Sequence, residues 1–301
     1  MKLIHSSVEI IEQKPGMQGI YEQIELAARN CYKSESLINY DEEGNSTTAK
    51  DFVDKIVNVY KHQSVAEHGT VYLRCKIIEE VDNHSLIVGV RNPLKHYSND
   101  KYSKYKEVKI RKGWDSDDAF VTTNYRVLLE NNWLDDLQYM CEPTEYHEKR
   151  VTVRVKCSIG ISREWNRHRS LSASEQSTRY CDYSKGKFGR QLTFVIPSWT
   201  KGVKTYEGDG LPDSEYRAER EWINFLSDSE HTYLYLTNNW KLSPQEARSV
   251  LPLDTATEVI YTGFVSDWRH FFDLRCAENA HPDIRKLAVE LKEQFIKKVI
   301  L

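Results

Sequence analysis

The run EWNRHRSLSASEQSTRY, at positions 164–180, is the part of the sequence best suited to chemistry. Residues 167–169 are Arg-His-Arg, and seven residues separate them from the Ser-Thr-Arg at 177–179. Guanidinium groups, hydroxyls and backbone N–H groups are the donors that proteins use to bind phosphate. A solvated loop or helix end is the alternative interpretation of such a polar stretch.

Helical geometry would limit what the basic triplet can bind. Successive side chains on a helix are about 100° apart, so Arg167 and Arg169 would point to nearly opposite sides, with His168 between them. We therefore expect a helical triplet to lie between two ligands or two subunits.

The charge distribution favours a bounded anionic ligand. The net charge is −3, yet residues 149–190 hold eleven Lys or Arg against three Asp or Glu. A nucleic-acid-binding protein is usually basic as a whole, and the aromatic residues near this region form no repeated stacking pattern. A phosphate- or nucleic-acid-binding module that uses residues 149–190 is the alternative hypothesis.

A second polar group, KHQSVAEHG at 61–69, precedes a predicted strand. It contains Ser64, Glu67 and two histidines, but its spacing is not that of an HExxH zinc motif, so we expect no metal. A hydrogen-bonding corner against a polar cofactor and a plain helix C-terminus both remain open.

Two arginines near the C-terminus lie among apolar residues. Arg248 is in the run EARSVLPL, and Arg275 ends the run WRHFFDLR, which also contains His270. A buried arginine head is normally paired or bound to a ligand. Extension of each side chain to solvent is the alternative.

Periodicity and capping signals predict the elements that position these residues. The predicted strands are 70–78, 151–159, 192–197 and 255–265. The predicted helices are 17–33, one from a capping box at Thr48–Asp51, about 124–140, 213–239, one from Ser243 to Leu251, 267–277 and 282–300. Residues 81–122 are polar and irregular and are predicted to lie at the surface. The fold class is α+β, with a mixed or antiparallel sheet flanked by helices and a helical C-terminal third.

Composition excludes several classes of protein. Hydrophobic residues make up 40% of the chain, and no apolar run approaches the roughly 20 residues that cross a bilayer. No secretory leader is recognisable, and the six cysteines include no CxxC pair. We expect a cytoplasmic protein with reduced cysteines.

Five segments together resemble the flavin-dependent thymidylate synthase family. The pattern RHR, seven residues and Ser, from Arg167 to Ser177, is similar to the family's signature. The segments AARNCYKS (27–34), HQSVAEH (62–68), EARSVLPL (246–253) and WRHFFDLR (268–275) agree with the family in order and character. The resemblance implies a single domain, 1–301, with a family-variable insertion at about 81–146.

The resemblance implies an enzyme that makes dTMP from dUMP. Methylenetetrahydrofolate would supply the carbon, NADPH would reduce the bound FAD, and a homotetramer would share its sites between subunits. Membrane and nucleic-acid partners are not expected. The implied FAD residues are Ser64, Glu67, Arg167, His168, Arg169, Glu175 and His270. The implied dUMP residues are Glu164, Arg167, Glu175, Gln176, Ser177, Thr178, Arg179, Arg248 and Arg275.

Arg275 is the predicted catalytic residue. Uracil C5 is a weak nucleophile, and a fixed cation stabilises the negative charge that develops on the ring. A cysteine-dependent synthase would need an activated thiol, and no cysteine here follows a proline or precedes a histidine.

The sequence departs from the family's common pattern at four positions. Glu164 stands in place of Gln, and Cys31 in place of Ser. Phe264 and Ser266 stand where many members place Asn and Arg toward the flavin.

Overall fold

The computed structural model describes residues 1–81, 87–109, 117–208 and 210–301. Parts of the predicted insertion, residues 82–86 and 110–116, lie outside the described residues. The strands are β1 (Lys2–Ile4), β2 (Ser7–Ile11), β3 (Thr70–Lys76), β4 (Ile78–Val81), β5 (Ile87–Arg91), β6 (Lys104–Lys109), β7 (Asp117–Asn124), β8 (Arg150–Ser158), β9 (Ser172–Glu175), β10 (Thr193–Val195), β11 (Tyr206–Glu207) and β12 (Ala256–Phe264). The α-helices are α1 (Gly16–Tyr32), α2 (Ala49–Asp54), α3 (Tyr125–Asn131), α4 (Ile159–Trp165), α5 (Arg217–Asn238), α6 (Pro244–Ala247), α7 (Val265–Arg275) and α8 (Pro282–Lys297).

An antiparallel sheet of order β2-β8-β12-β9 carries the candidate site. The valines of β8 alternate with polar residues, as a strand with one buried face requires, and β8 pairs with β12 along its whole length. Helices α4, α7 and α8 pack against this sheet through a cluster of large side chains. Its fully buried aromatic members are Trp165, Trp268, Phe271 and Phe295. The α+β prediction is confirmed.

Two further hydrophobic clusters complete the core. One joins α1, α2 and α3 to the sheet of order β3-β7-β6. The other joins α5 to the small sheet of order β10-β1-β11. The sequence pattern did not predict β1, β2 or β9, because each is too short to show a clear period.

The prediction of a surface segment over 81–122 is wrong for its last part. β7 is the central strand of its sheet, and Ala119, Phe120 and Val121 are buried. The predicted helix at 124–140 is also divided. α3 ends at Asn131, its C-cap Asn132 has a left-handed φ of 59°, and a 3-10 turn then covers Leu134–Tyr139.

The capping box predicted at Thr48–Asp51 is wrong, whereas the helix predicted from Ser243 does begin with one. Ser243 and Glu246 form the reciprocal capping box at the start of α6. Thr48 precedes α2 as predicted, but its side chain makes no capping bond, because its hydroxyl donates to the buried carboxylate of Glu25 at 2.8 Å.

The basic triplet at residues 167–169 is not helical. The helical spacing assumed for its side chains is therefore wrong. α4 ends at Trp165 with Asn166 as its C-cap, and residues 166–170 form turns. Arg167 and Arg169 are exposed, whereas His168 is buried. The turn therefore places the two arginines in solvent and the histidine in the protein interior.

Candidate active site

Helix α4 and the turn after it form the centre of the site. Ser158 caps the helix by accepting a hydrogen bond from the backbone N–H of Ile161 at 3.3 Å. The loop after the turn lies closely against β12: a Cβ added to Gly263 would be 2.3 Å from the Leu171 side chain. Glycine at position 263 therefore allows this loop to pack on the sheet.

Arg275, at the end of α7, is held from three directions. Its Nη1 donates to Glu164 Oε2 at 2.8 Å, its Nη2 to the Glu164 carbonyl at 2.9 Å, and its Nε to His168 Nε2 at 2.9 Å. The Arg275 side chain is 17% exposed. The guanidinium is therefore fixed in orientation yet accessible from one side.

His168 accepts a hydrogen bond from Arg275 and is therefore neutral, with its proton on Nδ1. Burial, together with the neighbouring Arg275 and His270, lowers the pKa of His168 to about 4. The His168 and His270 rings lie 6.3 Å apart. His270 itself is exposed.

Glu175, at the end of β9, is tied to α4. Its Oε1 accepts from the Ser162 hydroxyl at 2.8 Å and from the Thr257 hydroxyl at 3.1 Å, and its Oε2 accepts from Asn166 at 3.4 Å. These bonds hold the end of β9 next to α4 and to the turn that contains the basic triplet. Gln176, the next residue, bonds instead to the Tyr183 hydroxyl and lines a separate cavity of about 670 Å³.

The Ser-Thr-Arg turn lies next to Arg248, one of the residues implied to bind dUMP. The Ser177 N–H donates to the Cys31 carbonyl at 2.9 Å, which anchors the turn on α1. Arg248 Nη1 lies 3.4 Å from Thr178 Oγ1. Arg179 and Arg248 are both exposed. This corner presents two unburied guanidinium groups and two hydroxyls, which suits a phosphate.

The third group of predicted residues surrounds a cavity of about 370 Å³. Glu67 and Arg169 line it, and Glu67 binds Arg126 at 2.5 Å. Ser64 is exposed on the 3-10 turn Gln63–His68 and does not line this cavity. His68, at the end of that turn, is fully buried and lies within hydrogen-bonding distance of the Thr262 and Ser174 hydroxyls.

The structure thus brings the predicted residues together in three groups. Glu164, His168 and Arg275 form one, and Thr178 and Arg248 form another. The cavity beside Glu67 and Arg169 is the third. Within the described part of the chain, no hydrogen bond or ion pair joins Arg275 to Thr178 or Arg248.

Three residues that contribute to these groups were not predicted from the sequence. Ser162 orients Glu175, while Arg126 and Arg150 line the third cavity. Arg150 carries a recognisable signal, because it is a cation at the first position of a strongly patterned buried strand. The other two have no such signal, since serine in a helix and arginine in a helix are common at solvated positions.

The fold is of the α+β class, and comparison with known proteins specifies the family. The family model described as "Thymidylate synthase complementing protein" (Thy1) matches residues 97–299. The chain belongs to this family. The match includes part of the predicted insertion.

Curated relatives named "Flavin-dependent thymidylate synthase" match about half of the chain. The Mycobacterium sp. strain KMS protein is 32% identical over 147 residues, which cover 46% of this chain and 56% of the relative. The Mycobacterium tuberculosis protein is 44% identical over 143 residues, covering 45% and 54%. The Pyrococcus furiosus protein is 29% identical over 143 residues, covering 47% and 52%. The chain therefore spans about half the length of the curated relatives it matches.

Proposed function

We propose that this protein methylates dUMP to dTMP, with methylenetetrahydrofolate as carbon donor and FAD, reduced by NADPH, as hydride carrier. The family membership and the names of the relatives support this reaction. The observation that carries it is the oriented guanidinium of Arg275, held by Glu164 and His168 and open on one side.

Arg275 is the proposed catalytic residue. A cation fixed before the reaction stabilises developing negative charge without the cost of reorienting a flexible side chain or solvent. The uracil ring acquires such charge when its C5 acts as a nucleophile. His168 contributes by remaining neutral, because a protonated imidazole could not accept the bond from Arg275 Nε.

The dUMP phosphate is proposed to bind at the corner of Ser177, Thr178, Arg179 and Arg248. The hydroxyls and guanidinium groups there supply donors of the type that phosphate requires. Glu164, Arg167, Glu175, Gln176 and Arg275 would contact the rest of the nucleotide. Because no described contact joins Arg275 to this corner, we propose that a neighbouring subunit completes each site in a cytoplasmic homotetramer.

The residues of the third cavity fit part of a flavin dinucleotide. Cations outnumber carboxylates on the cavity wall, and the Arg150 Nε is buried without a hydrogen-bond partner. Ser64, Glu67, Arg167, His168, Arg169, Glu175 and His270 would hold the cofactor. FAD supplies the hydride when bound, while the protein supplies position and electrostatic field.

The cysteines do not support the alternative, thiol-dependent route to dTMP. Burial raises the pKa of all six thiols, at positions 31, 75, 141, 157, 181 and 276. For Cys181 the pKa rises to about 11. A nucleophilic cysteine needs the opposite shift, toward the thiolate.

The absorbance of the purified protein tests the proposal. After reconstitution with FAD, we expect a visible flavin spectrum that bleaches when NADPH is added anaerobically and returns when dUMP and methylenetetrahydrofolate follow. Protein that retains no FAD, or bound flavin that never recovers its absorbance with both substrates, would contradict the proposal.

None of the helices in the described part of the chain combines the length and apolar character that spanning a bilayer requires.

A further inference from the structure

The cavity beside Glu67 has a surplus of positive charge. Five cations and three carboxylates line it: Lys101, Lys104, Arg126, Arg150, Arg169, Glu67, Glu130 and Asp267. Its volume of about 370 Å³ is at the low end for small-molecule sites. The cavity therefore fits part of a dinucleotide and not the whole of one.

The three carboxylates already have partners. Arg126 binds Glu67 at 2.5 Å and Glu130 at 2.7 Å. Asp267 accepts a hydrogen bond from the Phe264 N–H at 3.1 Å, at the N-terminus of α7. Arg126 is thus paired, and Lys104 Nζ lies 3.9 Å from Glu148 Oε2 outside the cavity wall. Among the described residues, the other three cations of the wall have no carboxylate within ion-pair distance. The remaining positive charge is available to an anionic ligand.

Arg150 is the buried member of this group. Its Nη1 donates to the Glu67 carbonyl at 2.9 Å, and its Nε is buried without a hydrogen-bond partner. Burial lowers the pKa of Arg150 to about 10. A buried cation without a direct counterion is costly, so an anion bound in this cavity would stabilise the local structure.

The Phe264 ring lies close to two cations of this cavity. The Arg150 guanidinium lies 5.5 Å from the centre of the Phe264 ring, and Lys104 Nζ lies 5.3 Å from the same centre. Both distances are within the range of a cation–π interaction. Lys101 adds a third charge from the loop before β6, next to the exposed ring of Tyr102.

We propose that Lys101 and Lys104 bind the pyrophosphate of the flavin dinucleotide together with Arg150. The segment predicted as an insertion thereby contributes directly to the cofactor site. This inference rests on the proposed function, because Glu67 and Arg169 on the same cavity wall are proposed flavin residues. Nothing in the sequence pattern had given the segment such a role.

A matched pair of double variants tests the inference. K101A/K104A removes two lysines that line the cavity, and K106A/K109A removes two lysines from the same region that do not line it. The dissociation constants of FAD and riboflavin are measured for both variants and for the unmodified protein by fluorescence quenching at two salt concentrations.

We expect K101A/K104A to weaken FAD binding about tenfold or more, because two charge-assisted phosphate contacts are lost. It should also weaken the salt dependence of FAD binding and leave riboflavin binding within about twofold, since riboflavin carries no phosphate. K106A/K109A should bind both flavins like the unmodified protein.

The outcomes separate the inference from the function on which it rests. If the unmodified protein binds no FAD, the proposed function fails. If it binds FAD and K101A/K104A binds FAD equally tightly, the inference is overturned while the function stands. Equal weakening by the two double variants, or equal weakening of FAD and riboflavin, also overturns it.

Discussion

Glu164 and Arg275 form an ion pair in which the carboxylate oxygen lies 2.8 Å from the guanidinium nitrogen. The pair fixes the orientation of the proposed catalytic cation, but it also offsets part of its charge. Glu164 is 44% exposed at its side chain, so water screens the pair and its contribution to stability is small. Its main effect is therefore on the electrostatic field that a bound nucleotide meets.

The substitution E164Q separates orientation from charge. Glutamine keeps an oxygen acceptor for Arg275 but removes a negative charge that repels the dianionic nucleotide, so dUMP binding should tighten by about threefold to tenfold, which corresponds to roughly 1 kcal/mol. Titration calorimetry with dUMP measures this directly. E164A, which also removes the acceptor, serves as the comparison and should lower kcat. Weaker dUMP binding in E164Q would show that the carboxylate itself contacts the nucleotide favourably.

The stability of the protein should fall as the pH drops from about 6.5 toward 3. His68 is fully buried, and burial lowers its pKa to about 3, while an unfolded histidine titrates near 6.5. The unfolded state therefore binds the proton first. At pH 5 this linkage costs about 2 kcal/mol of the free energy of unfolding.

Urea unfolding at pH 7 and pH 5, for the unmodified protein and H68Q, measures this contribution. Glutamine retains hydrogen-bonding groups toward Thr262 and Ser174 but does not titrate. H68Q should therefore lose less stability between the two pH values. An unchanged pH dependence in H68Q would show that other groups cause the loss.

Asn30 should be important for the position of β9. Its side-chain amide donates to the Ser174 carbonyl at 3.0 Å and to the Glu258 carbonyl at 2.9 Å, and the residue is fully buried. N30A would remove both hydrogen bonds, while the Glu258 carbonyl keeps its bond from the Gln176 N–H at 2.8 Å, so the loss should cost about 1–3 kcal/mol. Denaturant unfolding of N30A checks the size of the loss, with N39A at an exposed position as the matched control. A loss below about 0.5 kcal/mol would mean that β9 keeps its place without Asn30.

The long elements were predictable because their side chains show a clear period. The helix predicted at 17–33 is α1, and the strand predicted at 151–159 is β8, each within one residue at both ends. β9 was not predictable, since Ser172–Glu175 contains little apolar side-chain area and is a strand only because β12 pairs with it.

The residue types of the candidate site were predictable, but their partners were not. A resemblance to a family indicates which positions matter, and it does not reveal that Glu164 and His168 both bind Arg275. The sequence separation explains this: Arg275 lies 111 residues from Glu164, and such contacts depend on how α4 and α7 pack on the sheet. The turn at 166–170 was not predicted, because no Gly or Pro marks the end of α4.

The most direct test of the central claim is dTMP formation by the purified protein and by R275A, assayed with FAD, NADPH, methylenetetrahydrofolate and dUMP. The unmodified protein should form dTMP only when FAD is present. R275A should lose at least about a hundredfold in kcat, as expected when one fixed electrostatic donor is removed, while it keeps its circular dichroism spectrum and still binds FAD. R269A, which removes an exposed arginine of the same helix, should remain active. A nearly normal rate in R275A, or dTMP formation that does not require flavin, would contradict the account.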